Sequence, residues 1–212
     1  MLLFKKVILL VCVSLAVNIS YANSDDTARS EITFTSIEEA LKSPDSVFRL
    51  DLSNIQLKKF PDAIFKFKNL EFLSLKDDHL KEIPKDISKL KNLKVLDLSG
   101  NDFSMLPPEI KSLKKLEEIY LGNNTNLDLD AGFTVLGKLP QLKILHLEND
   151  GLQALPQSIN KLKYLEKLYL NENELTHLPP FIKNNKKLFY IDMKNNPLQW
   201  KGERPFGITI NF

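Results

Sequence analysis

A pattern of apolar residues recurs every 23 residues along most of this chain. The shared pattern has apolar residues at positions 1, 4, 6, 11, 14, 18 and 21, with few exceptions, and most units have asparagine at position 9 and proline at position 15. Seven units begin at Val47, Leu70, Leu93, Leu116, Leu142, Leu165 and Leu188, and the fourth has three extra residues. One such unit is too small to bury its own apolar face. Stability must come from stacked neighbours, which restricts the chain to a solenoid.

The first half of each unit, Leu-x-x-Leu-x-Leu, predicts a short strand whose leucines point inward while the intervening residues point outward. Seven such strands, at a spacing of about 4.8 Å, form a parallel sheet roughly 34 Å long. Proline at position 15 lacks an N–H and fixes φ, so the return path is predicted to be irregular or a short 3₁₀ turn.

This pattern resembles the leucine-rich repeat family, in the 23-residue form whose second half reads Leu-Pro-x-x-Ile. The resemblance covers residues 47–196, as six full repeats and a seventh partial one. It implies an α/β leucine-rich-repeat solenoid, a curved right-handed coil with a parallel sheet on the concave face and a 3₁₀ or irregular convex side. Residues 34–44 are similar to the cap that precedes the repeats in many secreted bacterial members.

Both ends of the solenoid need a cover, because exposed strand edges invite pairing with other chains. Residues 23–46 are predicted to be a helical cap, with Ser36 and Glu39 at the spacing of a capping box. Residues 197–212 are predicted to contain a closing strand. The alternating apolar residues of that strand are Phe206, Ile208, Ile210 and Phe212.

The first 22 residues have the pattern of a signal peptide. Lys5 and Lys6 precede the apolar run 7–17, which is too short to span a bilayer, and small residues stand at 20 and 22. We therefore expect cleavage after Ala22 and export to the periplasm, the cell surface or the medium, from a bacterial source. The alternative is an uncleaved N-terminal anchor. Cleavage would remove the single cysteine and leave 27 basic and 27 acidic residues, with no membrane span.

Two features within the repeats predict local structure. Asparagine at position 9 can donate to and accept from the backbone of adjacent turns, whereas Asp78 and Asp150, when ionised, can only accept. In the longer fourth unit, Asp130 and the apolar spacing over 131–139 predict a short helix capped by Asp130.

The residues that carry catalysis are mostly missing. The histidines, His79, His146 and His177, occupy different positions in three units and have no metal-ligand spacing, and no cofactor-binding motif occurs. We expect neither a metal nor a cofactor, and no enzyme. The remaining catalytic alternative is a hydrolase at His146 and Glu148, which lacks an adjacent activated hydroxyl because Ser99 is two units away.

The outward positions 3 and 5 of the strands define the candidate binding surface, which we call the concave face. We expect an exposed aromatic and aliphatic stripe there that binds a protein partner, with the chain itself a monomer. The family resemblance implies host or envelope proteins as partners. The alternative is that these side chains only shield the sheet from water. The stripe residues are Phe72, Val95, Tyr120, Ile144, His146, Tyr169 and Tyr190.

A second candidate surface is a column of lysines at position 22 of the units, namely Lys68, Lys91, Lys114, Lys163 and Lys186. A column of like charge can bind a polyanion such as lipopolysaccharide or a glycosaminoglycan. Nucleic acid is a poorer candidate, because the chain has only three arginines.

Overall fold

The computed structural model describes residues 32–199 and 207–212. In this part of the chain, nine strands form one parallel sheet in sequential order. The strands are β1 (Thr33–Phe34), β2 (Arg49–Asp51), β3 (Phe72–Ser74), β4 (Val95–Asp97), β5 (Glu118–Tyr120), β6 (Ile144–His146), β7 (Lys167–Tyr169), β8 (Tyr190–Asp192) and β9 (Thr209–Asn211). Strands β2–β8 confirm the seven predicted repeat strands, and β9 lies within the region where the closing strand is predicted. Strand β1 was not predicted. It pairs with β2 and extends the sheet beyond the first repeat.

The inward leucines of the strands form the core. In β4, Leu96 is fully buried between two half-buried residues, and Leu98 just beyond the strand is fully buried as well. The equivalent residues of the other units stack above and below them in register. This packing is what the repeat pattern predicts, because each unit buries its apolar face only against its neighbours.

The return segments are mostly 3₁₀ helices, as the prolines at position 15 predict. Each of those within the repeats places a buried apolar residue over the core, such as Ile87 or Ile110, whereas Pro44–Ser46 before the first repeat buries none. The 3₁₀ helices of the described residues are Pro44–Ser46, Asp62–Lys66, Lys85–Lys89, Pro108–Ser112, Gln157–Lys161 and Pro180–Lys183.

Two α-helices interrupt this regularity. Helix α1 (Ile37–Ala40) lies within the predicted N-terminal cap, and the Ser36 side chain accepts a hydrogen bond from the Glu39 backbone N–H at 3.4 Å. Helix α2 (Leu129–Leu136) confirms the helix predicted in the fourth unit. The predicted capping residue was wrong. Asp128 caps this helix by accepting from the Ala131 N–H at 3.0 Å, and Asp130 lies within the first turn.

Asparagines at position 9 join adjacent turns through their side chains. Asn101 Oδ1 accepts from the Leu80 N–H at 2.9 Å, while Asn101 Nδ2 donates to the Leu75 and Leu98 carbonyls at 2.8 and 3.0 Å. The Nδ2 atoms of Asn124, Asn173 and Asn196 donate to the corresponding carbonyls. We call this series of contacts the asparagine ladder.

The residue at position 8 of every unit adopts a left-handed backbone conformation, with φ between 54° and 65°. This residue turns the chain out of the strand. Asparagine, aspartate and glycine tolerate the conformation, whereas other side chains are strained in it. The residues are Asn54, Asp77, Gly100, Asn123, Asn149, Glu172 and Asn195. Glu172 is the exception among these residue types.

No helix within residues 32–199 and 207–212 is both long and apolar enough to cross a membrane. The predicted signal peptide, residues 1–22, and Phe206 of the predicted closing strand lie outside the described residues.

Candidate functional site

The predicted concave-face residues all lie on β3–β8 and point away from the core. The sheet register aligns Tyr120 with His146 and His146 with Tyr169, so position 5 forms a row across three strands. The expectation that the stripe is exposed was wrong. His146 is only 8% exposed, and the other six residues are half-buried. The cause is close packing between side chains of neighbouring strands.

Three rings of this row form a continuous stack. The His146 ring lies 3.8 Å from the Tyr120 ring and 4.2 Å from the Tyr169 ring, measured between centroids, with interplanar angles of 13° and 3°. Tyr190 adjoins the stack at 5.5 Å from Tyr169 and is tilted by 51°. We call these four residues the aromatic cluster. It buries the imidazole between two phenol rings.

Carboxylates occupy both edges of the buried imidazole. His146 Nδ1 lies 2.8 Å from Glu148 Oε1, and His146 Nε2 lies 2.9 Å from Glu118 Oε1. A neutral imidazole has one N–H and one lone pair, and the lone pair would face a carboxylate oxygen. The geometry therefore fits an imidazolium that donates from both nitrogens.

The electrostatics of the cluster agree with a charged imidazole. Burial opposes the charge on His146, but the hydrogen bonds to Glu118 and Glu148 outweigh it and raise the pKa of the ring. Burial likewise acts to raise the pKa of Glu118, but its hydrogen bonds with His146 and Tyr120 leave that pKa lowered. Burial, followed by the hydrogen bond to Glu118, raises the pKa of Tyr120. The Tyr120 hydroxyl thus remains a neutral donor.

Gly122 permits this arrangement. A Cβ on Gly122 would lie 2.6 Å from the Glu148 carbonyl oxygen and 3.0 Å from Glu148 Oε2. The chain beyond β5 therefore approaches the chain beyond β6 more closely than any larger residue would allow. This contact, together with Glu118, is a part of the site that the sequence reasoning missed.

The residues at the two ends of the stripe, Phe72 and Tyr190, are also less accessible than predicted. The Arg49 guanidinium covers the Phe72 ring at 4.1 Å, in a cation–π contact. At the other end, the Tyr190 hydroxyl donates to Asp192 Oδ2 at 3.2 Å. The structure therefore brings together Tyr120, His146, Tyr169 and Tyr190, and separates them from Phe72.

The arrangement does not favour hydrolysis at His146. A general base needs a free nitrogen lone pair, and both nitrogens of this ring face carboxylates. The hydroxyl of Ser99 donates to Asp97. Glu118 and Glu148 lie on opposite edges of the ring, and no group of three metal-ligating side chains occurs in the described part of the chain.

The five predicted column lysines are all exposed, in the turns that precede strands. Successive turns contact each other directly. Asn92 Nδ2 donates to the Lys68 carbonyl at 2.9 Å, and Lys115 Nζ donates to Asn92 Oδ1 at 2.8 Å.

This solenoid belongs to the leucine-rich repeat family. The family profile described as "Leucine-rich repeat region" matches residues 28–134, and the one described as "Leucine rich repeat" matches residues 140–198. Domains of this family generally mediate protein–protein interaction and are generally not catalytic. A search of curated protein sequences finds no match.

Solved structures of leucine-rich repeat proteins are similar to this chain. The leucine-rich repeat domain of the type III effector XopL is 28% identical, with a TM-score of 0.59, over 75% of this chain and 55% of that one. The Toll–Spätzle complex of Drosophila is 26% identical, with a TM-score of 0.59, over 75% and 22%. A Leptospira interrogans leucine-rich repeat protein is 26% identical over 80% and 60%, with a TM-score of 0.42. The chain thus spans 22–60% of the length of these structures.

Proposed function

We propose that this chain is an exported, non-catalytic module that binds a protein partner through the aromatic cluster of its concave face. The observation that carries the proposal is the Tyr120–His146–Tyr169 stack, in which Glu118 and Glu148 hold the two nitrogens of the central imidazole. The leucine-rich repeat family, whose domains generally bind proteins, supports the same class of function.

Rigidity is what suits the cluster to binding. A partner loses little affinity to side-chain ordering when the aromatic rings are already held in place. The inward leucines fill the core without help from the rings, since Leu145 and Leu168 on the same strands are fully buried. Tyr169 and Tyr190, at one end of the cluster, keep part of their surface accessible and are the proposed contact residues.

Export and the nature of the partner are the finer parts of the proposal. The charged and apolar pattern of residues 1–22 supports export, and XopL is itself described as an effector. We expect the partner to be a host or envelope protein. The competing interpretation is that the rings only shield the sheet from water.

The test compares capture of extracellular and envelope proteins by the wild-type chain and by a Tyr169→Ser/Tyr190→Ser variant. Tyr164→Ser is the matched control, because Tyr164 is 51% exposed and lies in a turn outside the concave face. We expect one or more proteins to be retained by wild type and by the control, and lost from the double variant. Each variant is first checked by thermal unfolding, because Tyr169 and Tyr190 are half-buried and pack against neighbouring rings.

Salt and a second readout make the test decisive. Contacts to aromatic rings depend weakly on ionic strength, so capture is expected to survive 500 mM NaCl. A photo-crosslinking residue at position 190 should then form an adduct with the retained protein. Capture that is unchanged in the double variant, or adducts that form equally at position 164, would exclude the concave face as the site.

A further inference from the structure

We propose that a second surface of this solenoid, the lysine edge, binds a linear sulfated polysaccharide. The lysine edge consists of thirteen lysines in the six turns that precede β3–β8, residues 65–69, 88–92, 111–115, 137–141, 160–164 and 183–187. These are Lys66, Lys68, Lys89, Lys91, Lys111, Lys114, Lys115, Lys138, Lys161, Lys163, Lys183, Lys186 and Lys187.

Charge is segregated onto this edge. The six turns contain no aspartate or glutamate, although the chain as a whole has a net charge of only +2. All thirteen lysines are exposed, and within the described residues only Lys89 forms an ion pair, with Asp86 at 2.7 Å. Glu71, which follows the first of these turns, pairs with Lys94 at 2.8 Å and not with a lysine of the edge. Unpaired like charges at this density create a positive potential that attracts polyanions.

The fold arranges these charges in a narrow band. Side-chain amides join consecutive turns, from Asn92 to the Lys68 carbonyl at 2.9 Å and from Asn185 to the Leu162 carbonyl at 3.1 Å. The turns therefore follow the strand spacing of about 4.8 Å, and six turns extend over about 24 Å. Each turn contributes between one and three lysines. An elongated anion can lie along this band and contact lysines of several turns at once.

The residue types favour a polysaccharide over nucleic acid. Recognition of nucleic acids relies on arginine forks and on aromatic side chains that stack with bases. The lysine edge has no arginine, and its aromatic residues are limited to Phe65, Phe67 and Tyr164, of which Phe67 is fully buried. Lysine is a point charge on a flexible stem, which suits sulfate groups at irregular positions along a chain. A bilayer is planar, whereas the band is only a few side chains wide.

Fluorescence anisotropy of fluorescein-labelled heparin, titrated with the purified full chain at 50–300 mM NaCl, tests the proposal. Wild type is expected to bind, with an affinity that falls as salt rises because counterions are displaced. The Lys68→Gln/Lys91→Gln/Lys114→Gln variant is expected to bind at least tenfold more weakly at 150 mM NaCl.

The matched control is Lys58→Gln/Lys59→Gln/Lys81→Gln. This control also removes three positive charges, but from exposed lysines that follow the strands, outside the lysine edge. We expect its affinity to stay within twofold of wild type. Circular dichroism melting checks the fold of both variants, and a second edge variant, Lys163→Gln/Lys186→Gln, repeats the test in two other turns.

Three results would overturn the proposal. They are an equal loss in the edge and control variants, no binding of heparin by wild type at 150 mM NaCl, or tighter binding to phosphatidylserine vesicles or duplex DNA than to heparin. The Tyr169→Ser/Tyr190→Ser variant is expected to bind heparin as wild type does. The lysine edge and the concave face can therefore fail independently.

Discussion

Asp150 occupies a position of the asparagine ladder that calls for an amide. Its Oδ1 accepts from the Asn124 N–H at 2.6 Å, as an asparagine oxygen would. Its Oδ2 is buried with no hydrogen-bond partner. In Asn173, one unit further on, the corresponding atom is an Nδ2 that donates to two backbone carbonyls, those of Leu147 and Leu170. An ionised carboxylate places a negative oxygen where the ladder supplies only acceptors.

Replacing Asp150 with asparagine should therefore stabilise the chain in a pH-dependent way. Burial raises the pKa of Asp150 to about 7, despite the opposing hydrogen bond from Asn124. The pKa of an unfolded aspartate is about 3.9. A raised pKa means that the folded state holds the proton more tightly. The stability that protonated Asp150 contributes is thus complete below about pH 4 and is lost as pH rises towards and through about 7.

The size of the effect follows from the same two pKa values. Each pH unit between them costs at most about 1.4 kcal/mol, so ionisation of Asp150 removes up to about 4 kcal/mol of unfolding free energy by pH 8. Asp150→Asn cannot ionise, and its Nδ2 can donate to the carbonyls. We expect little difference between variant and wild type at pH 4, and a stabilisation of several kcal/mol at pH 8.

Urea unfolding followed by circular dichroism, at pH values from 4 to 8, measures this difference. Asp62→Asn serves as the control, because Asp62 is an exposed carboxylate outside the ladder. Asp78, whose pKa burial also raises, stays present in every protein and cancels in the comparison. The reasoning would be refuted by an Asp150→Asn stabilisation that is the same at pH 4 and pH 8, or by a destabilised variant at pH 8.

Four further predictions concern single residues. Leu170→Ala removes a fully buried side chain and should lower the unfolding free energy by about 2–5 kcal/mol in urea titration; a loss below 1 kcal/mol would mean that the units repack freely. Glu172→Asn relieves a left-handed backbone at φ 62° and should raise the unfolding free energy by about 1 kcal/mol, whereas an unchanged midpoint would show no strain there. Gly122→Ala should destabilise by about 1–3 kcal/mol, because its methyl group would meet the Glu148 carbonyl; a neutral result would show that the two chain segments can separate. The stabilisation from the His146 imidazolium is complete below about pH 6.5 and is lost as pH rises through the raised pKa of the folded ring. In wild type the unfolding free energy should therefore fall with pH above this range, and His146→Leu should remove that fall. A fall that persists in His146→Leu would assign it to other groups.

The repeat pattern was enough to predict the strands, the 3₁₀ returns and the direction of each side chain. Leu96 and Leu98 face the core while Asp97 between them does not. Side chains alternate along a strand, so once the leucines are buried the residue between them must point outward. Asn101 was predictable in the same way, since a buried turn needs a side chain that both donates and accepts. These features follow from local sequence and from stacking alone.

The geometry of the aromatic cluster was not predictable to the same degree. Glu118 and His146 are 28 residues apart, and their contact depends on register across the longer fourth unit. The imidazole is buried because rings of neighbouring strands stack on it. The repeat pattern predicts which side chains point outward, but it does not predict how these side chains pack against one another. Strand β1 was missed because two residues are too few to show alternation. Asp128 was missed as a cap because Asp130 offers the same chemistry two residues later.

Because the strands pair in register, the order of the units alone decides which side chains lie next to each other on the concave face. Deleting the fifth unit, residues 142–164, would leave the inward leucines of the remaining strands with equivalent neighbours. It would also place Tyr120 directly beside Tyr169, without the imidazole or Glu148 between them. Gain or loss of whole units could therefore change the chemistry of this face during evolution while the composition of the core stays constant.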